Sequence, residues 1–125
     1  MAEKTTVFFH HEEHREWMRK IDFYQDEIRI FQTNLSRVIQ AHPNLYSIIE
    51  IVDEYRNILM KKLKKIDDMR YQIAMHEHKL ATVDSSNLSD QIWDHQEVRD
   101  RLNEFDNDYL ALKSNMRHFV SKYIR

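Results

Sequence analysis

Apolar and aromatic residues recur at alternating steps of four and three from Val7 to His42, and the pattern is set up twice more further along the chain. In the first stretch one row is Val7, His14, Ile21, Ile28, Leu35 and His42, and the other is His10, Trp17, Tyr24, Phe31 and Val38. This spacing keeps one stripe of an α-helix turned toward a partner helix and does not fit the two-residue period of a strand. The second stretch carries Leu45, Val52, Leu59, Ile66, Ile73 and Leu80 beside Ile48, Tyr55, Lys62, Met69 and His76. The third carries His95, Leu102, Tyr109, Met116 and Tyr123 beside Val98, Phe105, Leu112 and Phe119. There is no glycine, so hairpins and bulges that depend on positive φ have no ready residue. The chain is therefore read as all-α. One domain over residues 1–125 would form an antiparallel up-down-up three-helix bundle of long, heptad-patterned, coiled-coil-like helices, at about 7–41, 43–81 and 88–123.

The breaks between stretches support those boundaries. Pro43, the sole proline, disfavours helical dihedrals at His42 and suits the first turn of a following helix. The run Thr82-Val83-Asp84-Ser85-Ser86-Asn87 is polar and rich in turn-formers, and Ser86 or Ser89 could cap the third helix.

Composition excludes several classes of function. Without cysteine there is no disulfide, no thiolate nucleophile and no cysteine-bound zinc. Without glycine there is no phosphate-cradling loop, and no nucleotide or organic cofactor is indicated. The net charge of −2 creates no broad field toward nucleic acid or anionic lipid. Lys61, Lys62, Lys64 and Lys65 are flanked by Glu50, Asp53, Glu54, Asp67 and Asp68 and read as a solvated helix face, so a nucleic-acid partner is not expected. No apolar run is long enough to span a bilayer, and the first residues lack the apolar core of a signal peptide. A soluble, cytoplasmic protein is expected.

The histidines are the feature closest to chemistry. His10, His14, His76 and His95 take inward positions on three different helices. If the turns are short, antiparallel partners in the first two helices have numbers summing to about 87, and those in the last two to about 169. All four imidazoles then meet at one end. A set of three or four such nitrogens suits zinc, iron, copper or nickel rather than magnesium or calcium. Glu13, Glu77 and Asp94, and less directly Asp84 or Glu97, could add ligands or orient the rings. His11 and His78 face outward at the same level. The competing reading is a metal-free polar layer, hydrogen-bonded to nearby acids, in a non-enzymatic coiled-coil interaction or scaffold module. A pH-sensitive cluster is a third. Phe23, Ile30 and Trp93 lie off the seam and could serve a homodimer. Lys62 on a core row reads as a snorkelling lysine paired with an aspartate or tyrosine. No reaction or substrate can be named.

The inward-facing side chains drawn from several helices resemble the site-building of hemerythrin-like and ferritin-like metal bundles. Glu-x-x-His, the signature of the carboxylate di-iron group, does not occur here. The stretches Glu13-His14-Arg15-Glu16-Trp17, Asp22-Phe23-Tyr24-Gln25-Asp26-Glu27-Ile28, His76-Glu77-His78-Lys79-Leu80 and Asp94-His95 resemble a family of small uncharacterised bacterial helical proteins. That resemblance implies an all-helical fold and no particular activity.

Overall fold

Three long helices account for nearly all of the chain in the computed structural model, which describes residues 2–84 and 86–124, with side chains from residue 5. Ser85, one of the turn-formers of the second linker, lies outside the described residues. Helix α1 spans Ala2–Ala41, α2 spans Tyr46–Leu80 and α3 spans Leu88–Tyr123, and no strand occurs among the described residues. The all-helical expectation holds. Among the described residues no helix is long and apolar enough to cross a membrane.

The buried residues follow the four-three spacing. Ile21, Ile28, Leu35, Val52, Leu59, Ile66 and Met116 are fully enclosed. Burying each such side chain contributes about 1.5–3 kcal/mol. The polar pairs between helices fix the registers. Along α1 and α2 the partners run in opposite order: Ser36 with Arg56, Asp22 with Arg70, His14 with Glu77. Along α1 and α3 they rise together: Glu13 with Arg99, Glu27 with Lys113, His42 with Tyr123.

Three local details differ from the sequence reading. Helix α1 starts at Ala2 rather than about Val7, because nothing in Ala2 to Thr6 breaks a helix. Helix α2 starts at Tyr46, so Pro43 sits in the connection rather than in the first turn. Leu45 is extended, at φ −100° and ψ 94°, which separates the proline from the helix. Neither Ser86 nor Ser89 caps α3; Asn87 holds that position without a side-chain cap. Asp84 organises the turn instead, accepting from the Ser86 amide at 2.8 Å and the Asn87 amide at 3.2 Å. Asp84 is thereby committed to the loop.

Candidate functional site

One end of the helix assembly carries a buried layer of imidazoles. His10, His14, His76 and His95 are all at most 8% exposed. The rings form a continuous cluster. His10 and His95 stack face to face at 3.6 Å, His14 lies 5.1 Å from His95, and His76 lies 6.2 Å from His14. Trp17 stacks against His95 at 4.6 Å and closes the layer toward the apolar core. The sequence reading brought these four side chains together from heptad position and helix length alone, and the geometry brings them together too.

Two carboxylates hold the layer from its edges. The His95 Nε2–H donates to Glu13 Oε1 at 3.0 Å. Arg99 clamps the same carboxylate through Nε at 3.0 Å and Nη2 at 2.5 Å. The His14 Nδ1–H donates to Glu77 Oε2 at 2.7 Å, and His11 donates to the other oxygen of Glu77. Thus His11, placed outward by its heptad position, is drawn into the network. Burial opposes ionisation of Glu13, but the hydrogen bonds from Arg99 and His95 outweigh it and lower its pKa. The same balance, with His14 and His11 as donors, lowers that of Glu77.

These bonds set the tautomers. A ring nitrogen that donates to a carboxylate carries the proton, so the other nitrogen of a neutral imidazole presents a bare lone pair. For His14 that atom is Nε2 and for His95 it is Nδ1. Both are buried without a hydrogen-bond partner, as is His10 Nδ1. Buried polar atoms are nearly always paired, so three orphans in one layer demand an account. His95, His10 and His76 are pushed toward the neutral form. Burial, reinforced by His10 and His14, pushes the His95 pKa down to about 4 against the pull of Glu13. Burial likewise lowers His10, with His14 adding to the effect. It lowers His76 as well, against the attraction of Asp94.

His76 differs from the other three. The Gln91 amide donates to its Nδ1 at 3.3 Å. Gln91 is only 5% exposed and escaped the sequence reading. Extending the Val98 row back by one heptad reaches it. A groove between α2 and α3, lined by Met75, His76, Lys79, Asp94 and Val98, opens this end to solvent. Glu97 pairs with Arg101 at 2.6 Å on the outer surface.

The remaining polar seam positions are structural. Tyr109 donates to Glu27 at 2.8 Å, Lys113 binds the same carboxylate at 2.6 Å, and Tyr24 donates to Asp106. The Lys62 amine lies 5.4 Å over the Phe105 ring, with Asp108 and Glu104 near enough to attract its charge.

Among the described residues, no three His, Asp or Glu side chains are already grouped so as to hold a metal ion. The chain matches no protein-family model, no curated protein and no solved structure. The likeness to small bacterial helical proteins rests on its own stretches of sequence alone.

Proposed function

We propose that this chain is a single-domain, up-down-up three-helix bundle of coiled-coil type that binds one transition-metal ion in its histidine layer. The carrying observation is the pair of carboxylate-held imidazoles, His14 on Glu77 and His95 on Glu13, each with its other nitrogen buried and unpartnered. Metal-bound histidines are oriented in this way, with the distal N–H on a carboxylate and the proximal lone pair free for the ion. With metal–nitrogen bonds of about 2 Å, two imidazoles on one tetrahedral ion have centroids about 5 Å apart. Those of His14 and His95 are 5.1 Å apart.

In this reading His14 and His95 form the core of the site, and His10 and His76 complete it, His76 once the Gln91 amide turns so that its oxygen accepts from Nδ1–H and Nε2 is bare. Rotation of His10 off the His95 face, where the rings lie 3.6 Å apart, is part of binding. Glu13 and Glu77 orient ligands, and Asp94 stands beside His76 at the solvent-facing groove. Neutral nitrogen donors favour zinc, iron, copper or nickel. An ion with an open position would supply Lewis-acid or redox chemistry there.

A second reading is a metal-free interaction or scaffold module whose histidine layer only sets register. The close His10–His95 stack and the absence of a ready-formed ligand group among the described residues favour it. Elemental analysis of untagged protein from metal-replete medium, followed by zinc titration of His14→Ala and His95→Ala, separates the two. The metal reading expects near one equivalent per chain, lost in both variants, and a melting temperature that falls with chelator. No metal after reconstitution, and stability indifferent to chelator, establishes the second reading.

A further inference from the structure

We propose that two copies of this chain pair through the outer face of α1, antiparallel and centred on Phe23. The face is one heptad row, Phe9, Glu16, Phe23, Ile30 and Arg37, lying in line along a helix of 40 residues. Three of its members are large and apolar, and each is more than half exposed: Phe9 59%, Phe23 56% and Ile30 60%. Isolated exposed hydrophobics need no explanation, but a straight row of them on a helix otherwise rich in charge does.

The charges flanking the row name the occupant. Antiparallel helices related by a two-fold axis set each flank against the same flank of the partner. With the axis at Phe23, residues whose numbers sum to about 46 lie opposite one another. Arg19 then faces Asp26 of the second copy, a pair occurring twice, while Lys20 faces Glu27, which is already engaged within its own chain, and Glu16 falls beside Ile30. Arg37 falls over Phe9 of the second copy, a cation on an aromatic face. No like charges meet on either flank. Arg19 and Asp26 are exposed, and among the described residues neither forms an ion pair with α2 or α3. Glu27 already accepts from Tyr109 and Lys113, and the Lys113 amine also lies 5.6 Å over the Phe23 ring, giving the centre of the face a fixed conformation. A self-complementary pattern of this kind fits a second copy better than an unrelated helix. Trp93 is 74% exposed but stands on α3, opposite that helix's buried seam, and lies outside this face.

Sedimentation equilibrium of the whole chain tests the proposal, with circular dichroism to confirm that each variant stays helical. Phe23→Glu should abolish a micromolar dimer. Asp26→Arg should weaken it about tenfold by setting Arg19 against arginine. The double swap Arg19→Asp with Asp26→Arg should restore it, because each pair is then reversed. A wild-type chain that stays monomeric at high concentration overturns the proposal. So does a dimer indifferent to Phe23→Glu, or one weakened by Asp26→Arg that the double swap does not recover. Phe23→Glu and Asp26→Arg are at exposed positions away from the histidine layer, so metal content should be unchanged by them, whereas Arg19 lines a surface pocket with Glu13 and Arg99 and the double swap is read by dimerisation alone.

Discussion

The histidine end and the tyrosine-rich middle of the helix assembly are built from the same elements but treat their polar atoms in opposite ways. In the middle, the Tyr109 hydroxyl and the Lys113 amine share Glu27, and Tyr24 is answered by Asp106. At the end, each carboxylate satisfies one nitrogen per ring, and three other ring nitrogens are left buried and unpaired. A polar layer that only fixes register has no reason to leave donors or acceptors unmet, and among the described residues the middle leaves no buried side-chain nitrogen or oxygen without a partner. Under the proposed metal-binding reading, the unmet nitrogens at the end are where stability is given up for a ligand.

The largest expected difference between the two regions is in their response to pH. His95 is buried between His10, His14 and Glu13 of α1, with His76 of α2 nearby and Arg99 on its own helix, and its pKa lies near 4. In the unfolded chain it would titrate near 6.5. Between those values the unfolded state binds more protons, so stability falls as pH falls from about 6.5 to about 4. The shift corresponds to about 3 kcal/mol for His95 alone, and His10 and His76 shift in the same direction. In the middle, burial and the adjacent carboxylates raise the pKa of Tyr24 and Tyr109. Their contribution is whole below pH 10 and is lost as pH rises past it. Urea titrations of metal-free protein across the pH range should show an acid loss that His95→Gln flattens. They should also show an alkaline loss that Tyr109→Phe reduces. An acid limb unchanged by His95→Gln would sink the comparison.

How much of this was legible in the sequence follows from what a heptad specifies. It says which side chains turn inward, so the apolar rows and the convergence of His10, His14, His76 and His95 could be read from spacing alone. It specifies level only to about one turn. The pairs Ser36–Arg56 and Asp22–Arg70 have numbers summing to 92 rather than about 87, a slip of about one and a half turns. It does not specify rotamers. Whether Glu13 and Glu77 would serve as ligands or as acceptors for imidazole N–H groups depends on side-chain torsions, and so does the capture of His11 by Glu77. Gln91 was missed because a polar residue on an apolar row reads as the row's end. The extended Leu45, which strands Pro43 outside α2, is a backbone choice that no local motif announces.

A smaller effect should come from uncoupling the middle layer. Glu27→Gln removes the charge that holds Lys113 and weakens the acceptor for Tyr109, and both partners are largely enclosed. The loss should be about 1–2 kcal/mol by chemical denaturation. It should leave metal content untouched, since the layer lies along α1 and α3 beyond Tyr24 from the histidines. A Glu27→Gln chain that also loses metal would mean that the two regions are coupled and cannot be contrasted as independent layers.

The smallest expected change carries the sharpest sign. His10 is 8% exposed, stacks on His95, and has a buried Nδ1 without a partner. Replacing a buried, unsatisfied polar ring with an apolar ring of similar shape removes a desolvation cost while keeping the stack. His10→Phe should therefore leave the metal-free fold equally stable or more stable by up to about 1 kcal/mol. The same change in the middle, Tyr109→Phe, should cost about 1 kcal/mol, because there the lost hydroxyl was answered by Glu27. Metal affinity should move the other way, falling in His10→Phe and not in Tyr109→Phe. Thermal melts of both variants, with and without zinc, read all four quantities. If His10→Phe destabilises the metal-free protein as much as Tyr109→Phe does, the histidine layer is as satisfied as the tyrosine layer, and the reason for assigning it a ligand disappears.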